Sequence, residues 1–126
     1  MRFLIDYQKY NLDFKFGAGT SRGVLHQRDA YFVKLSTAEN PQTIGIGEAS
    51  PLKGLSIDCR PDFEAQLQHI CQALEKQAFD PLEAQLDAFL EAHIPLEFPS
   101  IRFAFETAFL DWIQGGKRKI FKSGNN

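Results

Sequence analysis

Gly45-Ile-Gly-Glu-Ala-Ser-Pro-Leu-Lys-Gly-Leu-Ser56 is the stretch at which the hydrophobic period of this chain changes. Ile44 and Ile46 alternate with Gly45 and Gly47 on its N-terminal side, which is the period of a strand with one buried face. Upstream the same period recurs in Phe3, Ile5 and Tyr7, in Leu12, Phe14 and Phe16, and in Tyr31, Val33 and Leu35, with Phe32 on the opposite face. Asn40-Pro41 marks a turn. The expected strands cover roughly residues 2–16, 24–37 and 42–49, as a three-stranded antiparallel meander. The first segment is long enough to bend or break near Lys9–Asn11.

Downstream the period is helical. Phe63, Leu67, Ile70, Cys71 and Leu74 form one stripe. Pro61 suits a first turn, and Asp62 and Glu64 favour its positive end. Asp80-Pro-Leu-Glu83 reads as a second start, with Asp80 as cap, Pro81 at the first position and Glu83 closing a capping box. Leu82, Leu86, Phe89 and Leu90 then face inward. A third helix runs from about Ser100 to Gln114 and is stopped by Gly115-Gly116. It is apolar around most of its circumference, as a central or sandwiched helix is. Strands first and helices after give an α+β fold, a meander followed by a helical bundle.

With 126 residues and 44% hydrophobic content, the chain has room for one ordinary domain with a real core. Twelve Phe imply either a Phe-rich core or a ring-bearing face that another surface covers. The net charge is −2 with both signs interspersed, which disfavours nucleic acid. Lys117, Arg118, Lys119 and Lys122 read as a solvated basic tail. Cys59 and Cys71 lack the spacing of a metal site, and a reduced, cytoplasmic setting is expected. No apolar leader and no membrane-spanning run is visible in the sequence.

Two loops carry candidate ligand contacts. Phe16-Gly-Ala-Gly-Thr-Ser-Arg-Gly23 is neither a Walker loop nor a dinucleotide fingerprint, because the glycine spacing is wrong and a strand follows. It reads as a flexible hairpin connection or as a lid in which Thr20 and Ser21 offer hydroxyls and Arg22 a forked cation for a carboxylate, with Gly23 permitting close approach. The second loop, Glu48 to Ser56, reads as a rigid turn or as an apolar wall in which Leu52 and Leu55 touch a substrate ring and Ser50 and Ser56 donate hydrogen bonds. Glu48, with no partner carboxylate for acid–base work, is expected to close a hydrogen-bond network at the strand end. His26, His69 and His93 are dispersed; His69 is expected to be exposed and His93 to end a helix. No catalytic triad is visible.

Thr20-Ser-Arg-Gly23, Gly45-x-Gly-Glu-Ala-Ser-Pro-Leu-x-Gly-Leu-Ser56 and Pro99-Ser-Ile-Arg-Phe-Ala-Phe-Glu-Thr-Ala-Phe-Leu-Asp111 together resemble the N-terminal capping domain of the enolase superfamily (the mandelate racemase and muconate lactonizing enzymes), and within it the o-succinylbenzoate synthase branch. The resemblance covers nearly the whole chain. It implies a small carboxylate substrate, magnesium held by the carboxylates of a (β/α) barrel, and dehydration through an enediolate in menaquinone biosynthesis. It assigns Ser21, Arg22 and Gly23 to the first substrate-facing loop, and Leu52, Gly54, Leu55 and Ser56 to the second; Thr20 and Ser50 join them as candidate contacts through their hydroxyls. It assigns no catalytic residue and no metal ligand to this chain.

Residues 1–115 are expected to be the capping domain and 116–126 the lead into a barrel, which by itself takes about 250 residues. The chain alone is accordingly expected to be inactive and to bind no cofactor, as an isolated domain or a truncated product. It is expected to self-associate through an apolar face including some of Phe103, Phe105, Phe109 and Trp112. A muconate cycloisomerase-like or dipeptide epimerase-like enzyme shares these loops. A free-standing α+β binding module is the alternative of another class.

Overall fold

Three strands pair in the order β1-β2-β3 and three helices follow them in the chain. The structure, a computed structural model, describes residues 1–14, 26–51, 57–80 and 82–116. Strands β1 (Leu4–Phe14), β2 (His26–Ser36) and β3 (Gly45–Ala49) form an antiparallel meander. The expected break in the first strand does not occur. Lys9, Tyr10 and Asn11 stay in register with Tyr31, Ala30 and Asp29, because β2 is as long as β1 and pairs along its whole length.

The register sets the buried face. Ile5 lies opposite Leu35 and Leu35 opposite Gly45; Tyr7 lies opposite Val33 and Val33 opposite Gly47; Tyr31 lies opposite Ala49. These residues alternate with exposed or half-buried ones, as the two-residue period dictates.

Helices α1 (Phe63–Glu75), α2 (Glu83–His93) and α3 (Pro99–Ile113) complete the fold. The buried residues of α1 are the stripe the sequence predicts: Phe63, Leu67, Ile70, Cys71 and Leu74. Helix α2 departs from expectation at its start. Leu82 is the N-cap, no side chain caps the helix, and Leu82 is exposed. Asp80 instead accepts the Leu82 N–H on its own carbonyl and lies 3.7 Å from the N-terminal amine, so the capping box is not formed. Pro81 lies outside the described residues.

Helix α3 packs on β3 and β2 and also contacts α2. Phe105 and Phe109 are fully buried there, so they are not part of an exposed face. Phe103 is 60% exposed, and Trp112 is half-buried, its ring edge-on to Phe3 with centroids 5.0 Å apart. Rings of Phe3, Phe79, Phe89 and Phe109 contact one another in edge-on and stacked pairs, which accounts for much of the Phe content. Gly115 and Gly116, both at positive φ, end α3 as the sequence predicts, and the Gly116 N–H donates to the Asp111 carbonyl at 2.8 Å. No helix among the described residues is long and apolar enough to cross a membrane.

Candidate functional site

Phe14 pairs with His26, and Ala49 pairs with Tyr31, five residues along β2. The anchors of segment 15–25 lie at one end of the sheet; β3 runs toward that end but stops opposite Tyr31, the middle residue of β2, roughly 17 Å short of it. Meander topology dictates this: β1 runs toward that end, β2 runs away from it, and β3 returns. β1 and β3 thus lead out of the sheet in the same direction, β3 from midway along β2.

The Gly45-x-Gly47 pair has a packing cause. A Cβ at Gly45 would overlap the Ala108 carbonyl oxygen and the Trp112 Cβ, and one at Gly47 would overlap the Ala104 carbonyl oxygen. Glycine lets the backbone of β3 lie directly on α3. The strand therefore ends against the first turns of that helix.

At this junction Glu48, Ser50, Pro99, Ser100 and Phe103 line a surface recess of about 410 Å³. The Ser50 hydroxyl donates to the Glu48 carboxylate, which is the strand-end network expected of Glu48. Below the recess, the fully buried Asp58 accepts the Ser100 N–H at 2.6 Å and the Ser100 hydroxyl at 3.0 Å. Helix α3 has no capping side chain of its own at Phe98, so Asp58, from 42 positions earlier, supplies the negative charge at its N-terminus. The Arg60 guanidinium lies over the Phe98 ring at 4.9 Å and pairs with Asp62 at 2.9 Å, which holds the chain beyond Asp58 against the same corner.

A second polar cluster joins β1 to α1. The Tyr7 hydroxyl donates to Glu64 at 2.9 Å, and Lys9 lies 3.3 Å from Glu64 and 3.7 Å from Asp29. Burial, then the hydrogen bond to Glu64, pushes the Tyr7 phenol up to about 12. The hydrogen bond to Glu64 raises Lys9 above its ordinary value, and burial raises Tyr31. Each of these three shifts favours the protonated side chain, and the contacts among Tyr7, Lys9 and Glu64 fix helix α1 to the sheet. Among the described residues, no three His, Cys, Asp or Glu side chains converge as a metal site would need. The described residues thus do not fit a magnesium site.

Ser50 is the sequence-predicted ligand contact that the structure places, at the recess rim. Thr20, Ser21, Arg22, Gly23, Leu52, Gly54, Leu55 and Ser56 lie outside the described residues. Of the histidines, His69 is exposed; His93 ends α2 with its Nδ1 2.9 Å from the Phe89 carbonyl oxygen. Sequence reasoning missed Asp58, Ser100 and the recess face of Phe103. Asp58 and Ser100 are linked across the chain, and neither spacing nor period reports such a pair.

The chain matches no protein-family model. It is 29% identical over 143 aligned positions to an o-succinylbenzoate synthase from Desulfotalea psychrophila, covering 94% of this chain and 37% of that protein. The chain therefore spans little more than a third of that curated relative. Among solved structures, MenC from Desulfotalea psychrophila superposes with a TM-score of 0.67 at 24% identity, over 98% of this chain and 38% of that one. The o-succinylbenzoate synthase of Thermosynechococcus elongatus, solved with magnesium in its active site, gives 0.55 at 23% identity, over 94% and 31%. A mandelate racemase/muconate lactonizing protein from Herpetosiphon aurantiacus gives 0.58 at 20% identity, over 86% and 29%. The sheet-then-helices architecture, a three-stranded meander followed by three helices, is thus a fold shared with part of each of these solved structures.

Proposed function

We propose that this chain, alike in sequence and fold to part of the o-succinylbenzoate synthases, is the substrate-specificity and lid domain of such an enzyme. In the full-length enzyme a (β/α) barrel would hold magnesium and perform the dehydration through an enediolate, in the cytoplasm. The described residues of this chain do not fit the metal. This chain's part is to face a small carboxylate substrate with segments 20–23 and 50–56. Arg22 would pair with a carboxylate; Leu52 and Leu55 would touch the ring; Thr20, Ser21, Ser50 and Ser56 would supply polar contacts; Gly23 and Gly54 would allow close approach.

The observation that supports this reading is that β1 and β3 run in the same direction into the two segments. The 29% identity to an o-succinylbenzoate synthase favours that branch over the muconate cycloisomerase-like and dipeptide epimerase-like alternatives.

The test is a chimaera that joins this chain to the remainder of the Desulfotalea enzyme, assayed for magnesium-dependent dehydration. Activity is expected, with Arg22→Ala raising KM far more than it lowers kcat. A folded chimaera that binds magnesium but does not dehydrate, or an Arg22→Ala variant with unchanged KM, would sink the reading.

A further inference from the structure

We propose that the recess between the end of β3 and the start of α3 takes the uncharged, ring-bearing part of a small molecule through a hydroxyl donor, and that it rejects carboxylates. The bearing of this preference on catalysis rests on the function proposed above; the preference itself follows from the recess.

The apolar wall is Phe103, 60% exposed on a helix whose other Phe rings, Phe105 and Phe109, are buried, with Pro99 beside it. A recess of about 410 Å³ has the size of a small-molecule pocket. Its polar wall consists of acceptors. The Ser50 hydroxyl proton is committed to Glu48, and the Ser100 hydroxyl proton is committed to Asp58. What those hydroxyls and Glu48 still present are lone pairs, which accept hydrogen bonds.

A helix N-terminus ordinarily attracts anions. Here the Ser100 N–H is already taken by the buried Asp58 carboxylate. The Glu48 carboxylate lines the recess that an incoming carboxylate would enter, the buried Asp58 carboxylate lies behind Ser100, and no cation is among the lining residues described. A ring carrying an O–H matches this wall: its face lies on Phe103 and its proton goes to Glu48 or Ser50. The carboxylate end of a substrate would have to be held elsewhere. On this account Ser50 accepts from the ligand, where the sequence suggests that it donates.

Benzyl alcohol and benzoate, equal in ring and opposite in polar group, are the probes. Titration of the chain, followed by backbone amide shifts of Glu48, Ser100 and Phe103, is expected to show saturable binding of benzyl alcohol. Benzoate should bind about tenfold more weakly, the scale of one unfavourable charge contact. Phe103→Ser, at an exposed position, should keep the fold and abolish the benzyl alcohol shifts. Glu48→Gln should narrow the gap between the two probes. Absence of saturable benzyl alcohol binding, binding of benzoate at least as tight, or shifts that survive Phe103→Ser would each overturn the proposal. These readouts need no turnover. A failure of the functional reading would appear separately, as an inactive chimaera built from a chain that still binds benzyl alcohol.

Discussion

The Asp111 carboxylate accepts the backbone N–H of Ile46 at 3.0 Å. Ile46 lies on β3, whose second edge pairs with no other strand among the described residues. An open edge is a template for pairing with a second chain. Asp111, buried on the last turn of α3, closes it. The opposite edge is closed in the same way: Glu75, at the end of α1, accepts the Ile5 N–H at 2.7 Å, and the Phe79 N–H donates to the Met1 carbonyl at 2.8 Å. Helix-borne carboxylates thus fix two helices to the sheet and blunt both of its sides.

Replacing Asp111 by Ala leaves an edge N–H without its acceptor and opens β3. The expected loss of stability is about 1–3 kcal/mol, with the chain becoming prone to association. Asp111→Asn, which keeps an acceptor oxygen, should cost less. Urea denaturation and light scattering measure the two effects. An Asp111→Ala chain that is as stable as the parent, and no more associated, would remove the edge argument.

Gly47→Ala tests the close approach of strand and helix. The added methyl would overlap the Ala104 carbonyl oxygen, which is backbone and has no rotamer to escape into. Overpacking of this kind costs about 1–3 kcal/mol or more. The lost stability should come with displaced amide shifts along α3 from Ala104 to Trp112 and little change in α1. A Gly47→Ala chain of parental stability would mean that β3 and α3 are further apart than described.

Asp58 and Ser100 form a coupled pair that suits a double-mutant cycle. Asp58→Ala takes the partner from the half-buried Ser100 N–H and hydroxyl together, with an expected cost of about 1–3 kcal/mol in all. Ser100→Ala leaves the N–H to Asp58 and should cost about 1 kcal/mol. The double variant should fall short of the sum, with a coupling of at least about 0.5 kcal/mol. Strict additivity would show that the two residues do not act on each other.

The sheet and the stripe of α1 were legible because they depend on period alone: Phe3, Ile5 and Tyr7 at spacing two, and Phe63, Leu67, Ile70, Cys71 and Leu74 at helical spacing. The stop at Gly115-Gly116 was legible because two residues at positive φ require glycine. The start of α2 is misleading in sequence because Asp80 and Glu83 have the spacing of a capping box, while a tertiary contact draws Asp80 to the N-terminal amine. Gly45 and Gly47 were legible as a motif but not as a cause, since the carbonyls they admit lie about 60 residues downstream. Phe103 looked like its neighbours Phe105 and Phe109 because a helix that is apolar all round does not announce which ring stays outside.

Alkaline pH should weaken the fold through Cys71. Burial first, and then the charges of Asp6 and Glu75, raise its thiol from 9.0 to about 12. Below 9.0 the thiol is protonated in both folded and unfolded chains, and its protonation contributes no pH dependence. Above 9.0 the unfolded chain releases the proton while the folded chain keeps it, so the unfolded state binds fewer protons and stability falls as pH rises. The fall is about 1.4 kcal/mol per pH unit up to the folded value, or about 2 kcal/mol between neutrality and about pH 10.5. Tyr7, raised from 10.0 to about 12, acts in the same direction at somewhat higher pH. Urea midpoints measured across this range should decline for the parent chain. They should decline less steeply for Cys71→Ala, whatever that substitution costs at neutral pH. Equal slopes for the two chains would show that the thiol titrates freely in the folded state, and that the helix α1 stripe is more open to water than its packing against the sheet implies.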